Sequence, residues 1–252
     1  MKRFAAIFLL IAGLHGAAWA EKQATSDTAQ AVDTDTDVDA GTMIEGVDIP
    51  TADILDAGTY STAFRFYSGG GVTSRILLGP LKRLNLGVSF DVQRLIGSGT
   101  PHMVTPALHV KIRAFDGTDI LPALALGYDG QGMLYQDSTR RFLNKRRGLY
   151  LVGSHEFLLP DLELHAGVNF SDVDDAKAYG FVGSTYRITN AFAFLVEYDN
   201  IRNGPENRVN IGGRYWIIPS FSVDLAARNV GRNGDRGGER ILRLNYVGNF
   251  PF

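Results

Sequence analysis

Apolar and polar residues alternate along residues 83–93, RLNLGVSFDVQ. Apolar side chains occupy the even positions from Leu84 to Val92, and small or polar residues occupy the odd positions from Asn85 to Gln93. A repeat of two residues is the period of a β-strand, whose successive side chains point to opposite faces, and it differs from the 3.6-residue period of a helix. This stretch therefore predicts a strand with one apolar face and one polar face.

The same alternation recurs from residue 57 onward and predicts about twelve strands. It is clearest at 60–67, 73–78, 84–93, 108–113, 162–171, 192–199, 209–215, 221–228 and 242–250. Residues 120–129, 147–158 and 177–188 follow it less closely. The lengths are near the ~9–11 residues that a tilted strand needs to cross a bilayer.

The connections between the predicted strands alternate between short and long. Short turns fall at 79–83, 116–119, 159–161, 189–190 and 219–220. Longer polar loops begin near residues 94, 130, 171, 200 and 229, and the short SGGG at 68–71 is the exception among them. Outer-membrane barrels have tight periplasmic turns and longer outer loops, and an even strand number returns both termini to the periplasm. The connections are typical of that class.

A soluble β-sandwich or lipocalin-like barrel also alternates, with its apolar residues inside. About twelve strands with apolar residues inside would enclose an unfilled cavity, whereas lipid against the apolar face requires no filling. Closure also leaves no unpaired backbone groups in hydrocarbon. The predicted fold is an all-β, transmembrane antiparallel up-and-down β-barrel of about twelve strands, of the bacterial outer-membrane type. The rival class is a soluble periplasmic β-protein that binds a lipid or glycan.

The first fifty residues differ in composition from the rest. Residues 1–20 combine Lys2 and Arg3, an apolar run and a small-x-small end, which predicts a signal peptide cleaved after Ala20. Residues 21–50 contain eight acids against Lys22 alone and no aromatic residue, so we expect a disordered acidic tail in the periplasm. The predicted barrel, residues 51–252, then carries a net charge of about +3.

The polar face of the predicted strands supplies the lining of the lumen. Its candidate residues are Arg65, Arg75, Asp91, Gln93, His109, Lys111, Arg113, Glu163, His165, Glu197, Asp199, Arg214, Asp224, Arg228 and Arg243. One interpretation is that these acids and bases pair and plug the barrel, because both signs are present. The other is a narrow channel with a basic track for anionic sugars. That track consists of Arg65, Arg75, Lys111, Arg113, Arg214 and Arg243. The acidic tail is a candidate gate that folds into this basic lumen.

Two further groups of residues suggest partners. Five basic residues of the loop STRRFLNKRRG are predicted at the outer rim, where their charges suit the phosphates of lipopolysaccharide: Arg140, Arg141, Lys145, Arg146 and Arg147. The last predicted strand carries Tyr246, Phe250 and Phe252, which resemble the signal that the bacterial barrel-assembly machinery reads. Outer-membrane lipid, lipopolysaccharide and that machinery are the expected partners, and no nucleic acid is expected.

The sequence lacks the residue combinations that catalysis needs. Ser154 and His155 are neighbours, so strand alternation sends them to opposite faces and they cannot form a nucleophile–base pair. The five histidines show no metal-ligand spacing, and the glycine-rich stretches lie in loops with no helix after them. We therefore expect no enzyme activity, no cofactor and no metal site.

Four segments resemble the YjbH-like family of bacterial outer-membrane proteins associated with exopolysaccharide. They are DIPTADILDAGTYSTAFRF, LNLGVSFDVQRLIGSG, PALHVKIRAFDGTDILPALALGYDGQG and GSHEFLLPDLELHAGVNFS, within roughly residues 48–171. The resemblance implies an outer-membrane barrel, with exopolysaccharide or its secretion proteins as partners. The predicted function is a structural or transport component of the cell envelope. The alternative is a narrow channel selective for anions or acidic oligosaccharides.

Overall fold

The computed structural model describes residues 41–136, 139, 141–144, 146–157, 159–171, 177–202, 207–231 and 238–250. The predicted signal peptide and residues 21–40 of the predicted tail lie outside this part of the chain. Its strands are β1 (Thr59–Tyr67), β2 (Gly71–Leu81), β3 (Leu84–Gln93), β4 (His102–Met103), β5 (Ala107–Phe115), β6 (Ala123–Asp129), β7 (Met133–Gln136), β8 (Arg141–Asn144), β9 (Gly148–Glu156), β10 (Leu162–Phe170), β11 (Ala178–Thr189), β12 (Phe192–Ile201), β13 (Arg208–Ile218), β14 (Phe221–Arg228) and β15 (Glu239–Asn249). Among these residues, no helix is long and apolar enough to cross a membrane.

Twelve of these strands form one closed antiparallel barrel. Each pairs with its neighbours in chain order, and β1 pairs with β15 from Thr59 opposite Asn249 to Phe66 opposite Leu242. The short β4 extends the end of β3, while β7 and β8 form a separate hairpin in the loop between β6 and β9. Because the sheet closes, its strands present no open edge. The predicted fold, including the strand number, is confirmed.

The two faces of the barrel wall have opposite polarity. Leu108 and Leu225 on the outside are 64% and 65% exposed, while Asn85 and Asp91 on the inside are 2% and 1% exposed. Exposed apolar side chains continue around the wall on most of the barrel strands. Exposure of apolar surface to water costs a free energy of about 25 cal/mol per Å², and contact with lipid carries no comparable cost. The outer face of RLNLGVSFDVQ therefore suits hydrocarbon, and its polar face lines the lumen.

Residues 41–57, which we call the lumen hairpin, fold inside the barrel before β1 begins. The chain reverses in a tight turn, where the Gly46 amide donates to the Ile49 carbonyl over 2.9 Å and Glu45 pairs with Pro50. The ascending arm, residues 41–45, starts beside Arg187. The descending arm, residues 50–57, leads into β1 at the end of the barrel that carries the short turns. The hairpin thus enters and leaves at that end.

The position of residues 41–50 differs from the prediction of a disordered tail that ends at residue 50. The apolar side chains of Met43, Val47 and Ile49 are buried. The composition of the segment is too polar to fold alone, but it does not need its own core because the barrel wall supplies one. This part of the tail lies in the basic lumen, where the gate hypothesis placed it, and its function as a gate stays a prediction.

Candidate functional site

The tip of the lumen hairpin binds the carboxylate of Glu197 on β12. The Val47 amide lies 2.5 Å from Glu197 Oε1, and the Asp48 amide lies 3.0 Å from Oε2. Asn210 on β13 donates to the same carboxylate over 2.9 Å. A Cβ atom at Gly46 would lie 2.2 Å from Glu197 Oε1, so only glycine fits there. The tip is therefore fixed by backbone amides that converge on one buried acid.

The Asp48 side chain lies among three guanidinium groups. Its carboxylate is 2.6 Å from Arg65 Nη2, 3.5 Å from Arg228 Nη1 and 4.0 Å from Arg208 Nη2. Burial opposes ionisation, but Arg228 and Arg65 outweigh it and hold the pKa of the Asp48 carboxyl well below its usual range. Asp48 is thus a charged group that neutralises part of the wall.

Glu45 forms a second cluster of ion pairs nearer the middle of the lumen. Its carboxylate pairs with Arg75 and lies 2.7 Å from Arg243 Nη1. Arg243 also pairs with Asp224 at 2.5 Å, and Asp224 accepts from Arg214 over 2.7 Å. Burial disfavours the charged form of Glu45, but the two arginines that pair with it lower its pKa to about 2.

Lys111 on β5 binds both arms of the hairpin, and Arg113 on β5 binds the descending arm. The Lys111 ammonium donates to the carbonyls of Ile44, Thr51 and Asp53 over 2.7, 3.1 and 2.7 Å. Arg113 lies 3.2 Å from the Asp53 carboxylate. An ammonium group has three donors, so hairpin carbonyls use all the donor capacity of Lys111.

Two apolar patches of the wall cover the remaining sides of the hairpin. Ile49 and Ala52 pack in one cluster, and Met43 and Val47 pack in the other. The wall residues of the clusters are Ala123, Ala125, Tyr150, Val152, Phe181, Ala193, Leu195, Trp216 and Ile241. Gly183 and Gly212 leave room for this packing, since added Cβ atoms would lie 2.4 Å from Ile49 and 3.0 Å from Val47. The wall has a shape that fits the hairpin.

The predicted basic track coincides with the binding site of the hairpin. Arg65, Arg75, Lys111 and Arg113 contact the hairpin as described, as does Arg243, and Arg214 reaches the Glu45 carbonyl over 3.5 Å.

Further predicted lumen residues also lie inside: Asp91 accepts from Tyr67 and Thr73, His109 lies 3.2 Å from Asp129, and Glu163 lies 3.9 Å from His165. Their function as the lining of a pore stays a prediction.

The predicted lipopolysaccharide contact is wrong for Arg147. Its guanidinium lies in the lumen, 3.1 Å from Asp199, and donates to the Asp48 carbonyl. Arg147 comes just before β9, and the fully buried carboxylate of Asp199 attracts it inward. Arg146 is exposed, as predicted. Arg140 and Lys145 lie outside the described residues, and only the backbone of Arg141 is described.

The predicted assembly signal lies partly in the described chain. Tyr246 on β15 faces outward, and its ring lies 6.1 Å from that of Tyr60. Phe250 lies 5.3 Å from the same ring, and Phe252 is beyond the described residues. The use of these residues by the assembly machinery stays a prediction.

Sequence reasoning missed a polar chain that crosses three strands. Ser154 Oγ lies 2.8 Å from His165 Nδ1, and His165 Nε2 lies 3.1 Å from the Thr185 hydroxyl. Ser154 also accepts from the Ala52 amide over 2.8 Å. The pairing follows from the register of β9 and β10, which places His165 opposite Ser154. The serine hydroxyl is thus occupied in binding the hairpin. No group of acids and histidines among the described residues could bind a metal ion.

An open cleft, which we call the outer vestibule, lies above the hairpin tip on the side of the long loops. Val47 and Asp48 form its floor. Its charged lining comprises Glu45, Asp48, Arg65, Arg75, Asp129, Arg146, Arg147, Arg208 and Arg228. Basic groups therefore outnumber acids in the vestibule.

Comparison with known proteins yields similarity to porin structures. A KdgM porin is 13% identical, with 74% of this chain and 98% of that chain covered and a TM-score of 0.46. A NanC porin is 12% identical, with 75% and 98% covered and a TM-score of 0.40. The Salmonella typhi OmpF complex with daunomycin is 8% identical, with 75% and 96% covered and a TM-score of 0.30. No family model and no curated protein matches the chain.

Proposed function

We propose that the protein is an outer-membrane channel for anionic solutes whose lumen is closed by the hairpin of residues 41–57. One observation carries this proposal. All six residues of the predicted basic track bind the hairpin, which puts carboxylates and backbone carbonyls where an anionic solute would pass. Rings of Arg and Lys select anions in pores. The hairpin thus acts as an internal substitute for the solute.

The charges of the wall explain why something anionic must occupy the lumen. Without the hairpin, Arg65 and Arg228 would lose the carboxylate of Asp48, and Arg75 would lose that of Glu45. A buried charge that loses its partner is strongly destabilising. An anionic solute would restore these pairs, whereas a neutral solute would not. Charge is therefore the property by which this lumen selects.

The remaining parts of the proposal concern location and class. The apolar belt and the closed sheet suit the bacterial outer membrane, with the short turns on the periplasmic side. A soluble periplasmic protein would leave that belt in water. We favour a channel without enzyme activity, since Ser154 and His165 are both buried and the hairpin backbone at Ala52 lies against the serine. The YjbH-like resemblance favours polysaccharide segments as the solute, and the basic track of the lumen favours acidic ones.

A disulfide that fixes the hairpin to the wall tests the channel. The chain has no cysteine, and the Ala52 amide lies 2.8 Å from Ser154 Oγ, so Ala52→Cys with Ser154→Cys is a suitable pair. In planar bilayers, we expect anion-selective openings from the reduced protein and none from the oxidised protein. The single variant Ala52→Cys should be insensitive to oxidation.

Two results would contradict the proposal. Equal conductance of the oxidised and reduced forms would mean that the hairpin does not close the lumen. Silence of both forms, with insertion shown by heat-modifiable gel mobility, would instead support a purely structural barrel.

A further inference from the structure

The outer vestibule contains a buried arginine with unused hydrogen-bonding capacity. The Arg65 side chain is 9% exposed; its two terminal nitrogens donate to the Val47 carbonyl and the Asp48 carboxylate over 3.1 and 2.6 Å. Its third nitrogen, Nε, has no hydrogen-bond partner in the described part of the chain. Most buried donors in folded proteins are paired, so an unpaired one indicates a place for a ligand or solvent acceptor.

At the floor of the vestibule, the hairpin presents a side-chain carboxylate to the basic groups at its tip. Asp48 lies there between Arg65 and Arg228, and Arg208 lies 4.0 Å away. Arg146 is exposed at the mouth of the same cleft. A guanidinium group binds any carboxylate through the same fork of donors, whether it belongs to the chain or to a ligand.

We propose that the outer vestibule binds the carboxylates of an acidic oligosaccharide, and that a ligand carboxylate replaces Asp48 on Arg65 and Arg228 and so releases the hairpin tip from outside. The binding step stands by itself, while the release step rests on the proposed channel.

The exchange conserves charge pairs but not all the contacts of the tip. One carboxylate leaves the two arginines and another takes its place, so the electrostatic balance is nearly unchanged. The hydrogen bonds from the Val47 and Asp48 amides to the Glu197 carboxylate break when the tip leaves. A ligand with a single carboxylate offers nothing in return for them. A chain with several carboxylates can also engage Arg75 and Arg243 once Glu45 withdraws, which favours oligomers over monomers.

The variant Asp48→Asn tests the exchange because it removes the competing carboxylate and keeps the shape of the side chain. We expect the affinity for trigalacturonate, measured by titration calorimetry on the folded full-length mature protein, to rise about tenfold, the equivalent of one displaced ion pair. Asp119→Asn is the matched control. It removes an exposed carboxylate in a short turn, outside the lining of the vestibule, so its affinity should stay within about twofold of the parent.

A second variant keeps the test valid if Asp48→Asn fails to fold. Arg146→Gln changes an exposed residue at the mouth of the vestibule and should weaken trigalacturonate binding about threefold. Unchanged affinity in every variant that folds would overturn the proposal, as would equal binding of neutral maltotriose. Inorganic phosphate that binds as tightly as trigalacturonate would overturn the assignment to acidic sugars and favour a general phosphate or lipid-headgroup site.

The two proposals fail separately. Binding to the vestibule by a protein that is silent in bilayers would leave this site intact and refute the channel. Openings that are blocked by the disulfide but are not promoted by trigalacturonate would support the channel and refute the release step.

Discussion

Gly46 determines how closely the lumen hairpin approaches the barrel wall. Its missing side chain allows the amides of Val47 and Asp48 to reach the carboxylate of Glu197. An added Cβ atom would overlap Glu197 Oε1, which is itself bound by Asn210 and has little freedom to move. The missing side chain of this one residue thus permits the hydrogen bonds that fix the hairpin tip to the barrel wall.

Gly46→Ala should therefore displace the tip without disturbing the barrel. Steric overlap of this kind costs about 1–3 kcal/mol, so we expect the open probability in planar bilayers to rise about tenfold or more. The strand content of the barrel, measured by circular dichroism, should be unchanged, because no strand residue is altered. Gly153→Ala is the control, since its new Cβ atom would meet only an ordinary contact 3.4 Å from Leu124. Equal open probability of the two variants would contradict this account of the tip.

The lumen hairpin is not a strand of the barrel; it consists of turns and bends with one isolated bridge. It is stabilised by two apolar clusters and by carboxylates that pair with arginines of the wall. Both Glu45 and Asp48 lie outside the membrane-spanning strands, and both have a lowered pKa. Their ion pairs therefore link the position of the hairpin to pH.

A lowered carboxylate pKa stabilises the docked hairpin above the ordinary pKa, and this stabilisation is lost as the pH falls through the lower value. For Glu45 the window extends from 4.5 down to about 2. We expect the open probability to stay constant between neutral pH and about pH 5, and to rise below that. The double variant Glu45→Gln, Asp48→Asn should lack this rise. An increase between pH 8 and pH 5 would show that other groups control the hairpin.

The barrel, as far as the structure describes it, has an apolar outer surface and a polar interior. In a soluble protein this arrangement would be inverted, because water would contact the exposed leucines and isoleucines of nearly every strand. Closure through β1 and β15 satisfies the strand hydrogen bonds within the barrel. The molecule as a whole is therefore built for lipid outside and charge inside.

Leu225→Arg tests this orientation at the middle of β14, where the side chain is exposed on the outside. Arginine on the lipid face costs about 2–4 kcal/mol near the bilayer midplane and about 0–1 near the interface. Unfolding in phospholipid vesicles should show that loss for Leu225→Arg and much less for Ile120→Arg, which lies in a short turn. A loss within about 0.5 kcal/mol for both would indicate a water-exposed surface.

The strand number, the polarity of the two faces and the alternation of short and long loops were predictable from the sequence. They are local properties, because the alternation in RLNLGVSFDVQ assigns each side chain to a face whatever the rest of the chain does. The same local rule placed Arg65, Lys111 and Arg243 inside the barrel. It could not say what they would contact.

The tertiary structure alone decided what fills the lumen. Composition predicted disorder for residues 41–50, since a polar segment has no core of its own, but the barrel supplies that core from residues more than seventy positions away. Strand register, which the alternation leaves open, brought His165 opposite Ser154. The buried carboxylate of Asp199 drew Arg147 inward from a loop predicted at the rim. The sequence by itself determined a membrane barrel with a charged interior, and only long-range contacts placed residues 41–50 of its acidic segment in that interior.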